Sequence, residues 1–161
     1  MNSKKKVVGQ HVTVSAFICF ENKALIVQRA SHEPFGANFW ELAGGSVELA
    51  ESIICATARE VQEETGLVVQ PLRPYFVHDF VSQINDHQVV QIGVLCHLLK
   101  NAPVILSDDH QAFKWVEVHE LPYVMPLSPI MQRMLTLGFD ALQHGVFWDK
   151  SVTCFASDLY K

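Results

Sequence analysis

Short apolar runs at a spacing of two dominate the first part of the chain. Val12, Val14, Ala16 and Ile18 alternate with other residues, and a second β-branched run follows over residues 24–28 after Glu21-Asn22-Lys23. Alternation on both sides of a polar break predicts a β-hairpin. Residues 31–38 carry Pro34 and Gly36 and are read as a loop, and residues 39–42 as a short strand running into Gly44-Gly45. The period then changes. Over residues 49–65, Ile54, Ala58 and Val61 fall on one face at 100° per residue, which predicts a helix closed by Gly66. Two extended stretches, 68–81 and 88–99, flank the turn-like Asn85-Asp86, and residues 113–118 form another strand. Residues 121–129 are broken by proline, and 130–143 have helical spacing in Met131, Met134, Leu135 and Leu142. The last dozen residues carry no assignable pattern. Many strands with two separated helices indicate one mixed α/β domain over residues 1–161, with residues 1–10 as a flexible tail.

Composition narrows the partners. With 49% hydrophobic and 18% charged residues in 161, the chain has the make-up of a single globular domain. No apolar run approaches the ~18–20 residues of a membrane-spanning helix. A net charge of −5 argues against a basic nucleic-acid face. Lys4, Lys5 and Lys6 precede a short apolar run, but Gln10 and His11 interrupt it and no small-residue cleavage site follows, so a secretory leader is not expected. Cys19, Cys55, Cys96 and Cys154 are widely spaced without a C-x-x-C pair, which points to reduced thiols in a cytoplasmic protein. The eight histidines show no zinc-finger or H-E-x-x-H spacing.

The chemistry concentrates on the first helix. Glu60, Glu63 and Glu64, related by i,i+3 and i,i+4, span an arc of about 100° away from the apolar face. A row of carboxylates is either a solvated acidic face or a site for a hard divalent cation; Mg²⁺ takes oxygen donors together with substrate phosphates. The row alone does not decide between them.

The surrounding spacing does. Gly45, five residues, Glu51, seven residues, then Arg59-Glu60-Val61-x-Glu63-Glu64-x-Gly66-Leu67 matches every defined position of the signature of the Nudix (MutT-like) hydrolases. Average residue frequencies put a chance match on the order of 10⁻⁷ for a chain of this length. The hairpin before the signature, Phe39-Trp40-Glu41-Leu42 leading into the glycines, and the strand at 113–118 followed by Leu121-Pro122 also resemble the family. Ala43 and Ala50 depart from the proline and glycine common at those positions. Ser82 replaces the proline of many ADP-ribose hydrolases, and no tyrosine occupies 83–85 as in many diadenosine-polyphosphate hydrolases.

The resemblance implies an α/β/α sandwich with a mixed sheet, whose signature loop and helix carry the metal site. It implies Mg²⁺-dependent (or Mn²⁺-dependent) hydrolysis of a nucleoside diphosphate-linked small molecule. A nucleoside triphosphate cleaved to monophosphate and pyrophosphate is the first reading; ADP-ribose or a nucleotide-sugar is the alternative substrate, and a non-catalytic nucleotide sensor the alternative of another class. Glu60, Glu63, Glu64 and the Gly45 carbonyl match the metal ligands, and Glu60, Glu63 and Arg59 the catalytic group. Arg59 is also expected to pair with Glu63 at i+4. Arg29 and Gly44 are expected to contact substrate phosphate. Glu48, Asp109 and His110 are accessory candidates, with Glu48 and Glu51 expected in the first helical turn. Phe39 and Trp40 are read as core. A homodimer is compatible with the resemblance; nucleic acid and membrane are not expected partners.

Overall fold

The computed structural model describes residues 7–82 and 85–144. The lysine run at 4–6 and the unassigned last dozen residues lie outside them. Strands β1 (Gly9–Phe20), β2 (Lys23–Arg29), β3 (Trp40–Glu41), β4 (Val69–Val81), β5 (His87–Leu98) and β6 (His110–Val116) form one six-stranded sheet. Its order is β3-β2-β1-β5-β4, with β6 also on β2. β1 and β5 run parallel from Gly9↔His87 to Cys19↔His97; the other pairings are antiparallel. Helices α1 (Ile53–Thr65) and α2 (Pro129–Gln143) complete the fold, with a 3₁₀ turn at Val118–Tyr123.

The sheet is buried on both faces. Phe17, Ala24, Ile26, Phe76 and Leu95 face Met131, Met134, Leu135 and Phe139 of α2. Phe17 sits edge-on against Phe139 at 5.2 Å and Tyr75 at 6.0 Å, the geometry aromatic quadrupoles favour. The alternate residues Ala16, Ile18, Leu25, Val27, Val94 and Cys96 face Val61 of α1. Near-continuous apolar runs in the central strands are what a sheet covered on both sides requires. The α/β/α sandwich is therefore present.

Several boundaries differ from the sequence expectations. β1 begins at Gly9, so residues 9 and 10 belong to the sheet and not to a tail, and the Val8 N–H just before it donates to the Asp86 carbonyl. α1 begins at Ile53: Ser52 Oγ caps the Cys55 N–H at 3.1 Å, and Leu49 is fully exposed. The helix buries Thr57, Val61 and Thr65, leaving Ile54 and Ala58 only half-buried. Gly66 ends it in the left-handed conformation (φ 68°), as expected. β6 starts three residues earlier than the apolar run suggests, which places His110 in a strand. Cys19 and Cys96 are free thiols, as expected, and Cys154 lies outside the described residues. Among the described residues no helix is long and apolar enough to cross a membrane.

Candidate active site

β2 leaves β1 after two residue pairs, Cys19↔Ala24 and Phe20↔Lys23, and continues along β6. The edge of β1 beyond that point would carry unpaired backbone groups. The glycine loop fills it: the Ala16 N–H donates to Ala43 O (2.8 Å), the Val14 N–H to Gly45 O (2.9 Å) and the Val47 N–H to Val12 O (2.9 Å). A Cβ at Gly44 would lie 2.0 Å from the Val14 carbonyl oxygen, so only glycine lets the loop lie this close. At Gly45 a Cβ would lie 2.6 Å from the Glu60 carboxylate. The carbonyl of Gly45 keeps one lone pair beyond its bond to Val14.

The three helix glutamates form a gradient from core to solvent. Glu64 is buried (9% exposed) and accepts the Gly44 N–H at 2.8 Å. Among the described residues no cationic side chain lies at ion-pair distance from it. Burial pushes its pKa up to about 7, against the charge of His110 and the Gly44 bond. Glu60 is half-buried, and desolvation likewise holds its pKa above the ordinary value. Glu63 is 59% exposed.

Arg59 ties this group together. Its Nε and Nη2 donate to the two oxygens of Glu51 (both 2.9 Å), Nη1 to Glu60 (2.9 Å) and Glu63 (3.1 Å), and Nη2 also to Ser46 O (2.9 Å). The expected Arg59–Glu63 pair exists, but the two-pronged bond to Glu51 is the main one and holds the Glu51 pKa down. Glu51 and Glu48 precede the helix, so neither acts in its first turn. Glu48 is exposed; its backbone N–H donates to Glu51 Oε2 at 3.0 Å.

A second charged cluster stands at the β2–β3 loop. Arg29 donates through Nε to Phe35 O (2.8 Å), through Nη1 to Glu41 (3.0 Å) and through Nη2 to Glu33. Three of its N–H groups are thus engaged, two on the loop and one on Glu41 of β3. His110, with no exposed side-chain area, places Nε2 3.3 Å from the same Glu41 oxygen. Burial opposes its charged form, but the Glu41 bond and the Glu64 and Glu41 charges prevail and raise its pKa. Asp109 is exposed, and its carbonyl accepts the Ala30 N–H. Trp40 is core as expected, while Phe39 is 40% exposed. Glu41, Glu33 and Phe35 were not singled out from the sequence. Only structure shows that the loop folds back onto Arg29.

Beside the glycine loop, on the α2 face of the sheet, lies a cleft of about 430 Å³ bordered by Arg29, Glu41 and Gly44-Gly45. The carboxylates of α1 thus approach one side of the glycine loop and the cleft opens on the other. A family model described as the NUDIX domain matches residues 9–137, which contain all of these elements. The chain belongs to the Nudix family. A MutT protein from Methanosarcina mazei has the same fold, with a TM-score of 0.71 and 26% identity over 84% of this chain and 96% of that one. An octanoyltransferase from Myxococcus xanthus is 35% identical over 100 residues, 61% of this chain and 27% of that protein. The phosphatase NudJ from Escherichia coli is 33% identical over 72 residues, 45% of each. The chain therefore spans less than half the length of these two relatives.

In this Nudix site the donor chemistry fits a hard divalent cation. Glu60, Glu63, Glu64 and the Gly45 carbonyl offer oxygen only, and Glu64 is a buried carboxylate without a cationic partner. Among the described residues no three acidic or imidazole side chains already converge on one point, since Arg59 engages both Glu60 and Glu63.

Proposed function

We propose that this Nudix chain is a Mg²⁺-dependent pyrophosphohydrolase that cleaves a nucleoside triphosphate to a monophosphate and pyrophosphate. The observation that carries this reading is the buried Glu64 of α1, bonded to the glycine loop beside Glu60 with no cation at ion-pair distance among the described residues, next to a cleft of nucleotide size. Diphosphates resist water because their own negative charge repels it, so catalysis needs charge neutralisation and an oriented nucleophile. When bound, Mg²⁺ supplies that neutralisation and lowers the pKa of water. Glu60, Glu63, Glu64 and the Gly45 carbonyl are the groups that would hold it.

The chain's own residues supply the rest. Glu60, with its raised pKa and its place against Gly45, accepts the proton of the attacking water. The water oxygen bonds to phosphorus, the anhydride P–O bond breaks, and pyrophosphate leaves with the electron pair. Arg59, anchored by Glu51, orients Glu60 and Glu63 and does not touch substrate in this reading. The Gly44 N–H positions Glu64, and Arg29, which borders the cleft, offers its two remaining N–H groups to the phosphates. A panel of nucleoside triphosphates, ADP-ribose and nucleotide-sugars with Mg²⁺, with products identified by mass, tests the reading. Glu63→Gln and Glu64→Gln should each lose at least about a hundredfold in kcat. Undiminished activity in both variants rejects the site. Tight nucleotide binding without turnover under any divalent metal would mark a sensor instead.

A further inference from the structure

Away from the carboxylates, two imidazoles meet where β1 and β5 begin. These strands pair without a register shift from Gly9↔His87 to Cys19↔His97. His11 precedes Phe17 by six residues and His87 precedes Leu95 by eight. Both therefore lie on the face that Phe17 and Leu95 present to α2. α1, with its glutamates, covers the other face. The centroids of the His11 and His87 rings are 4.5 Å apart, and their planes are inclined at 54°.

The backbone beneath the pair is tied down. The Val8 N–H donates to the Asp86 carbonyl, and the His87 N–H donates to Asn85 Oδ1 at 3.2 Å. The Cδ2–Nε2 edge of the His87 ring lies over Gly9, where a Cβ would collide with both atoms. Nδ1 is the ring atom opposite that edge. It is buried, and among the described residues it has no hydrogen-bond partner. A buried polar atom left unpaired costs free energy, so its persistence calls for a ligand that pairs it. His11 is exposed.

The spacing of the rings says which ligand. An imidazole nitrogen sits about 2.0–2.1 Å from a zinc-type ion, so two rings sharing one ion at right or tetrahedral angles have centroids about 4.4–5.3 Å apart. The observed 4.5 Å falls in that range, and inclined planes let the nitrogen edges converge where a flat stack would not. Imidazole suits Zn²⁺, Cu²⁺ and Ni²⁺, whereas Mg²⁺ takes oxygen.

We infer that His11 and His87 form a binding site for a divalent transition-metal ion, distinct from the Mg²⁺ site on the other face of the sheet. Among the described residues no third histidine, cysteine or carboxylate joins them, so the remaining coordination positions are open to water. The ion clips the start of β1 to the start of β5. The inference does not depend on the hydrolytic reading.

Calorimetric titration of the full chain with Zn²⁺ in excess Mg²⁺ tests it. One Zn²⁺ per chain should bind in an event that survives Glu64→Gln. His11→Ala and His87→Ala should each weaken that event at least about tenfold. Gly9→Ala keeps both imidazoles but puts a methyl where the His87 ring lies, and it should weaken binding by a similar factor. At a hundredfold excess over its Kd, Zn²⁺ should raise the Tm of the wild type by about 5–10 °C, and that of either histidine variant far less. With Cu²⁺ in place of Zn²⁺, electron paramagnetic resonance should show two equatorial nitrogens in the wild type and one in His11→Ala. No Zn²⁺ binding, binding unchanged in both histidine variants, or a Cu²⁺ spectrum of oxygen donors alone overturns the inference. One ion per two chains with four nitrogens also overturns it, because the pair is then half of an interface between copies.

Discussion

Glu64→Gln should stabilise the metal-free protein while abolishing its activity. Glu64 is buried, and its carboxyl pKa is pushed up from 4.5 to about 7, chiefly by desolvation. The folded state therefore holds the proton more tightly than the unfolded chain does. The sign follows from linkage: between pH 4.5 and 7 the native state binds more protons than the unfolded state, so stability falls as pH rises through that window. A shift of this size corresponds to a penalty on the order of 3 kcal/mol, fully developed above pH 8. Glutamine is nearly isosteric with the neutral acid, and its carbonyl can still accept the Gly44 N–H. The stability difference between variant and wild type should therefore be near zero at pH 4 and grow to roughly 3 kcal/mol at pH 8, or about 6–12 °C in Tm.

The charged groups that act on Glu64 are His110, Glu41, Glu60 and Arg29. His110, whose pKa is raised, also loses its contribution as pH rises through that value, but it does so in both proteins apart from the share owed to the Glu64 charge. Urea unfolding in EDTA at pH 4, 6 and 8, followed by tryptophan fluorescence, gives the difference curve. Excess Mg²⁺ should reverse the order at pH 8 by stabilising only the wild type. A difference that does not vary with pH, or a variant less stable than wild type at pH 8, would refute the reasoning.

Three further contrasts follow from the geometry. Gly45→Ala pushes a methyl against the movable Glu60 carboxylate, so kcat should fall about a hundredfold with Tm nearly unchanged, whereas Gly44→Ala strikes the Val14 backbone and should cost about 3 kcal/mol in urea unfolding. Ala50 adopts φ 64°, a left-handed conformation costly to any residue with a Cβ; Ala50→Gly should raise stability by about 0.5–1 kcal/mol without altering kcat, and a lower Tm would contradict this. If Arg29 acts mainly by holding the β2–β3 loop, Arg29→Met and Glu33→Gln should raise KM by a similar factor, about tenfold, and the double variant no further; a much larger effect of Arg29→Met alone would show that the arginine works chiefly on phosphate.

The parts of this site legible in the sequence are those set by local period or by fixed spacing. Glu60, Glu63, Glu64 and Gly66 follow from helix geometry and the signature, and the hairpin and α2 from alternation and helical spacing. Periodicity cannot show depth. The three glutamates look equivalent along the helix, yet Glu64 is buried and Glu63 exposed, because Thr57, Val61 and Thr65 turn the helix further toward Glu64 than Ile54 and Ala58 suggest. Long-range pairings were equally hidden. Glu51 looks like a first-turn acid until Ser52 caps the helix after it, and His110 looks like a loop residue until β6 pairs it with Arg29. Ser15 and Gln91 lie more than seventy residues apart and meet only because β1 and β5 run side by side.

That same pairing explains why the site lies where it does. β1 gives one edge to β5 along nearly its whole length, while β2 occupies the other edge for only two residue pairs before turning to β6. The fold therefore leaves a row of backbone donors and acceptors unpaired at the centre of the sheet, and a glycine loop is the segment slim enough to satisfy them. Once seated, the loop turns the Gly44 N–H toward Glu64 and brings the bare Cα of Gly45 against Glu60. Repair of the sheet edge and placement of the carboxylates are thus one contact. Stability and activity should separate at Glu64, whose charge opposes folding, and fall together at Gly44, whose backbone serves both.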